Sequence, residues 1–175
     1  MSSPVEEARA LAPQVEAAAD RIEPDRQLPP ELVETLFEAG MFSMLQPVGY
    51  GGSELDLPTY VRAVEELARA DGSVAWCVGQ ANGLWNYFAH LDPEVAREVL
   101  AQGRTIMAHG PGEGNRPGRA VETSGGYRVS GRWLFASGIC HTTWVMGACE
   151  LFSADGSPRL EADKAALRTV MMPAL

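Results

Sequence analysis

Histidine and cysteine are scarce in this 175-residue sequence, with three of each. His90, His109 and His141 stand too far apart for metal-ligand spacing, and no HExxH or CxxC is present. Metal catalysis is therefore not expected, and no metal site is assigned. An odd cysteine count, with Cys77, Cys140 and Cys149 in no close cluster, argues against a disulfide framework and for reduced, partly buried thiols. No apolar run approaches the roughly 20 residues of a membrane helix. The N-terminus lacks the basic-then-apolar layout of a secretory signal, so the expected location is cytoplasmic, with no membrane partner. Basic charge is also in deficit: 14 Lys and Arg against 23 Asp and Glu give a net charge of −9. Such a chain repels phosphate backbones, so nucleic acid is not expected as a partner. A nucleophile elbow and a P-loop are both missing, and neither an internal repeat nor a low-complexity tract occurs.

What is present is ample apolar material, 46% of the residues, arranged first at helical and then at strand spacing. Ser3-Pro4-Val5-Glu6 combines a hydroxyl N-cap, proline at the first helical position and a capping-box glutamate. A helix is expected from there, with a kink or restart at Pro13 before Ile22. A second helix follows Pro29 and Pro30, carries Leu32, Val33, Leu36 and Phe37 at helical spacing, and stops at Gly40. A third opens near Pro58 and should bury Tyr60, Val61, Val64, Leu67 and Ala68. The fourth, from Ser73 to about Ala89, carries Val74, Trp76, Cys77, Val78, Ala81, Leu84, Trp85 and Phe88 with almost no charge, the pattern of a helix buried on most faces. Asp92-Pro93 caps a fifth that Gly103 ends.

From Thr105 the period shortens. Strands are expected at 105–108, 127–130, 133–136, 142–149 and 167–172, separated by turn sequences such as Ser124-Gly125-Gly126 and Ala154-Asp155-Gly156-Ser157-Pro158. Helices followed by strands define an α+β chain, with a helical domain over 1–104 and a β domain over 105–175.

Two stretches carry candidate chemistry. In His109-Gly110-Pro111-Gly112-Glu113-Gly114-Asn115, glycines let backbone amides approach an anion or a ring edge, although a plain surface loop reads the same way. In the run from Tyr127 to Gly138, Trp133 and Phe135 precede Ala136, Ser137 and Gly138. Aromatic faces beside a small hydroxyl residue suit a flat heterocycle, and buried sheet aromatics explain the same pattern.

The order of motifs is more specific than any one of them. Leu28-Pro29-Pro30-Glu31-Leu32 with Glu38-Ala39-Gly40, then Pro47-Val48-Gly49-Tyr50-Gly51-Gly52, then the run from Glu65 to Ser73 resemble the helical N-terminal domain of the acyl-CoA dehydrogenase superfamily. His109 to Asn115 falls where that family has a Thr-Glu-Pro-Gly-x-Gly-Ser loop, and Gly126 to Gly131 resembles the hairpin that follows. The resemblance places Phe135 at a flavin-facing tryptophan and Ser137 at a threonine that hydrogen-bonds flavin near N5. It implies the beginning of an antiparallel β-barrel-like middle domain, with flavin (FAD or FMN) as cofactor. The implied flavin contacts are Phe135, Ala136, Ser137, Trp133, His109 and Gly112, with Trp85 and Gly83 on the substrate side.

Gly131 to Gly138 and Gly72-Ser73-Val74-Ala75-Trp76 are most similar to the two-component flavin monooxygenases within that superfamily. Gly110 stands in place of the loop glutamate, a departure from the dehydrogenase pattern, and Gly83 stands where some hydroxylases carry a substrate-touching histidine. The resemblance therefore implies an enzyme using diffusible reduced flavin and O2 on a small aromatic or heterocyclic substrate. It further implies a separate flavin reductase and a homo-oligomer, tetramer or dimer. The alternatives are an acyl-CoA dehydrogenase transferring hydride from a thioester to FAD, and a non-catalytic oligomerisation module. The family's C-terminal helical bundle, which would supply a catalytic base, is expected to be absent from this chain. The catalytic residue is thus unassigned, and the 175 residues alone are expected to be inactive, with an apolar helix face and a sheet edge exposed.

Overall fold

The first helix begins where its capping chemistry places it. In the computed structural model, which describes residues 3–174, the Glu6 amide donates to Ser3 Oγ at 3.3 Å and the Ser3 amide to Glu6 Oε2 at 2.8 Å. Helix α1 then runs Pro4–Asp25 and buries Ala8, Leu11, Val15, Ala18 and Ile22, one stripe at three-four spacing. The expected break at Pro13 does not occur. Pro13 lies on the exposed face, where water can satisfy the carbonyl its missing amide leaves unpaired, while the buried stripe holds both flanks.

Helix α2 (Pro30–Glu38) stops as its sequence reads, with Gly40 at φ +72° and the Met41 amide donating to Leu36 O at 2.9 Å. Asp56 caps α3 (Leu57–Ala70), and Asp71 caps α4 (Gly72–Gly83) by accepting the Val74 amide at 2.8 Å. Helix α3 packs on α1 and α4, and Arg9 pairs with Glu66 at 2.9 Å. Its buried residues are Ala63 and Leu67, with Tyr60 and Val64 half-buried and Val61 and Ala68 exposed. The apolar arc of α3 is wider than the face its neighbours cover. The helix expected to reach residue 89 ends at Gly83 and tightens into a 3-10 segment, Leu84–His90. There the Trp85 indole donates to Phe42 O at 2.8 Å. Trp76, expected in the core, is 59% exposed. Helix α5 spans Pro93–Ala101.

Two compact units result. The first holds the residues up to Met107 together with Gly138–Thr143, which tie to Ile106: the Thr143 amide donates to Ile106 O at 2.8 Å and the Ile106 amide to Thr143 Oγ1 at 2.9 Å. The second holds Ala108–Ser137 and the chain from Trp144 onward.

The strands are β1 (Met107–His109), β2 (Gly118–Thr123), β3 (Gly126–Ser130), β4 (Trp144–Phe152), β5 (Leu160–Glu161), β6 (Lys164–Ala165) and β7 (Leu167–Pro173). In the main sheet β4 pairs with β1, β2 and β7. The sheet is mixed rather than wholly antiparallel: β2–β3 and β4–β7 run antiparallel, but Gly118–Val121 lie parallel to Cys149–Phe152. Strand β2 was not expected, because its buried positions are Gly118 and Ala120, too small to give an apolar signal. The short pair β5–β6 was also not expected. The strand expected at 133–136 does not form; Trp133 makes one isolated bridge to Gly112, and Phe135 at φ +54° leaves the extended region.

Candidate flavin-edge site

The glycine-rich loop and the segment after β3 are built as one piece of backbone. The Leu134 amide donates to Pro111 O at 2.8 Å and the Glu113 amide to Arg132 O at 2.9 Å. A Cβ at Gly110 would come 2.1 Å from Leu134 O, and one at Gly112 would come 1.8 Å from Arg116 O. These glycines therefore permit close backbone approach within the protein. The Asn115 and Arg116 amides are likewise spent internally, on Gly112 O and Glu113 O. Three amides of this stretch, those of Glu113, Asn115 and Arg116, are thus engaged within the protein. His109 stands half-buried at the end of β1, and burial pushes its pKa down.

Trp133 locks this piece to the sheet. Its ring packs against Gly118, Gly131 and Gly147 and lies beside the buried cluster of Ala120, Cys149, Leu151 and Ala166. The indole N–H donates to Ala148 O at 3.4 Å. The half-buried ring is a pillar for the segment that follows.

That segment presents Phe135. Its backbone is left-handed and its ring is 85% exposed, a costly conformation for a bulky residue with no burial to offset it. Ala136 and Ser137 follow, both half-buried, and the Ser137 amide donates to Phe135 O at 2.8 Å. An uncovered aromatic face, a small residue and a hydroxyl thus stand in succession on an anchored segment. The residues present fit a flat ring with polar edge atoms.

The helical unit shows different behaviour. Trp85, read as a substrate wall, is 2% exposed, with its N–H bonded to Phe42 O and its ring 4.7 Å from that of Phe88. It is a core residue here, because the 3-10 turn carries it inward. Gly83 is exposed, with open space where a side chain would be. Sequence reasoning passed over Asn82, fully buried and bonded to Met41 O (2.7 Å), Val78 O (2.9 Å) and the Leu45 amide (3.0 Å). It also left His141 unassigned. Burial and the Arg104 guanidinium push that imidazole down to about 4.

Cys77, Cys140 and Cys149 are free thiols, and burial pushes Cys77 up to about 11. No group of three or more potential metal ligands occurs among the described residues, and no described helix is long and apolar enough to cross a membrane.

Helices followed by a mixed sheet, with this aromatic-hydroxyl segment, define an α+β chain of the acyl-CoA dehydrogenase type. The profile of the acyl-CoA dehydrogenase N-terminal domain matches residues 5–102, and the chain belongs to that family. Among curated relatives, the oxygenase subunit HsaA of a flavin-dependent monooxygenase from Mycobacterium tuberculosis is 33% identical over 139 residues, 77% of this chain and 34% of the relative. The oxygenase component of p-hydroxyphenylacetate 3-hydroxylase from Acinetobacter baumannii is 26% identical over 156 residues, 89% of this chain and 36% of the relative. Among solved structures, XiaF from Streptomyces sp., in complex with FADH2 and glycerol, superposes with a TM-score of 0.85 at 25% identity, over 98% of this chain and 41% of that one. The chain spans about a third of the length of these curated relatives.

Proposed function

We propose that this chain serves the oxygenase component of a two-component flavin monooxygenase, acting on a small aromatic or heterocyclic substrate. The observation that carries the reading is Phe135, a bulky ring held 85% exposed in left-handed backbone two residues before Ser137. The likeness to HsaA supports the oxygenase branch.

In this reading Phe135 offers its face to the flavin, Ala136 is small enough to let the ring approach, and the Ser137 hydroxyl meets the ring edge near N5. Trp133 fixes the segment from the sheet, and the loop from His109 through Gly112 braces it through the Pro111–Leu134 bond. Reduced flavin, FAD or FMN, supplies the two electrons with which O2 is divided between a substrate hydroxyl and water. A separate flavin reductase delivers it, and the protein acts as a homo-oligomer, tetramer or dimer, in the cytoplasm.

The test has two stages. Anaerobic titration of the chain with photoreduced FMN and FAD should change flavin fluorescence saturably. Mixing a version of the protein that carries the family's helical bundle with 18O2 and a panel of phenols and indoles, beside a flavin reductase, should then place one heavy oxygen in the product. A chain that leaves flavin fluorescence unchanged overturns the reading. Anaerobic bleaching of oxidised flavin by an acyl-CoA would assign dehydrogenase chemistry instead.

A further inference from the structure

Gly138 directly follows Ser137 and stands at φ +83°, a conformation side chains rarely adopt. A Cβ at Gly138 would come 2.9 Å from His141 Nε2 and 3.3 Å from His141 Cε1. The imidazole therefore lies flush against the Gly138 backbone. The His141 amide closes the turn by donating to Gly138 O at 3.0 Å. The same ring meets Phe42, with centroids 5.9 Å apart. Beyond His141 the chain is pinned, since Thr142 Oγ1 donates to Ile106 O at 2.7 Å.

The ring's surroundings favour its uncharged form. His141 Nδ1 is buried without a hydrogen-bond partner, as is Arg104 Nε. The charged group acting on the imidazole is Arg104, itself paired with Glu34 at 2.5 Å and stacked over Phe37. A second cation beside Arg104, with a buried N–H and nothing to receive it, would be costly. A neutral ring can stay in place as a wedge.

We propose that His141 is a positioning residue: its uncharged ring, set against Phe42, holds Gly138 in the left-handed turn and so fixes the direction in which Ser137 presents its hydroxyl. The turn itself stands on the contacts above; its consequence for the cofactor rests on the flavin reading of Phe135 to Ser137.

The experiment uses the full chain and its variants His141→Phe, His141→Ala, Ser137→Ala and the Ser137→Ala/His141→Ala double. FMN, oxidised and photoreduced, is the probe. Two quantities are read: hydrogen exchange at the residue-141 amide, and FMN affinity. In His141→Ala, exchange at that amide should rise by about tenfold or more. FMN affinity should fall by roughly two- to tenfold in His141→Ala and in Ser137→Ala, the size of one neutral hydrogen bond. His141→Phe, which restores a flat uncharged ring, should return both readings toward wild type. The double variant should bind no worse than Ser137→Ala, because His141 acts through Ser137.

Unchanged exchange in His141→Ala overturns the wedge, and fully additive losses in the double variant overturn action through Ser137. If wild type binds no FMN, the flavin reading and the cofactor consequence both fall, while the exchange rates still decide the turn. His141→Leu, apolar but without a flat ring, carries the same expectations should the alanine variant not fold.

Discussion

The edge of the Trp133 indole occupies the space a side chain at Gly147 would need: a Cβ built there would come 2.4 Å from Cε2 and 2.5 Å from Nε1. Strand β4 thus gives up a side chain at its centre so that the segment before Phe135 can lean on the sheet. Gly147→Ala should destabilise the second unit by about 1–3 kcal/mol through overpacking. Because the clash is with the N–H side of the bicyclic indole, which a smaller phenylalanine ring does not fill, the same change in a Trp133→Phe background should cost clearly less. Urea unfolding of the four proteins measures both. Equal costs in the two backgrounds would mean that Trp133 does not set the constraint.

Asn82 is a second place where a polar group organises a core. Its side chain receives the Leu45 amide and donates to the Met41 and Val78 carbonyls, stitching α4 to the chain after α2. Asn82→Ala should cost about 2–4 kcal/mol, since it strands partners shielded from water as well as losing the bonds themselves. A loss under about 1 kcal/mol in urea unfolding would show that water takes over the role.

His141 makes stability depend on pH in a window of its own. Its imidazole is held down at about 4 in the folded chain, against an ordinary value of 6.5. Between those values the unfolded chain binds more protons than the folded one, so stability falls as pH drops from about 6.5 to about 4. Above and below that window His141 contributes no slope. The carboxylates with depressed values, the half-buried Glu66 and the exposed Glu161 among them, act lower, below their ordinary 4.5. His109, also pushed down by burial, shares the upper window, so comparison with His141→Phe isolates the term. Wild type should lose roughly 1–3 kcal/mol more than His141→Phe between pH 7 and pH 4.5. Parallel curves would place the His141 imidazole in ordinary solvent.

The legible parts of the sequence were those where one residue type does one local job. Ser3 with Glu6, Asp92 and the left-handed Gly40 begin or end helices through bonds within a few residues. Contacts that depend on tertiary structure were not legible. Pro13 reads as a break, yet a stripe from Ala8 to Ile22 holds α1 through it. Strand β2 hides because Gly118 and Ala120 are small for the sake of Trp133 and the sheet. Trp85 and Trp76 have the same apolar signal and opposite fates, because a 3-10 turn after Gly83 rotates one inward. Phe135 and Ser137 are legible through motif order, while the wedge under Gly138 leaves no sequence signal, since only the folded turn puts an imidazole against a glycine three residues earlier.

Phe135 itself offers the sharpest separation of stability from binding. Left-handed backbone costs a non-glycine residue about 1–2 kcal/mol. Replacing Phe135 by glycine removes that strain and adds unfolded-chain entropy worth about 0.5–1 kcal/mol in the other direction. With the ring 85% exposed, almost no burial is lost. Phe135→Gly should therefore be as stable as wild type or up to about 1 kcal/mol more so. FMN affinity should nevertheless fall by roughly tenfold, the scale of one lost aromatic stack. Phe135→Leu keeps the backbone strain without the aromatic face, so it should lose affinity without gaining stability. Urea midpoints and FMN titrations on the three proteins give the comparison. A glycine variant that binds FMN as wild type does removes Phe135 from the site, and one that is markedly less stable shows that the ring is covered by protein in solution.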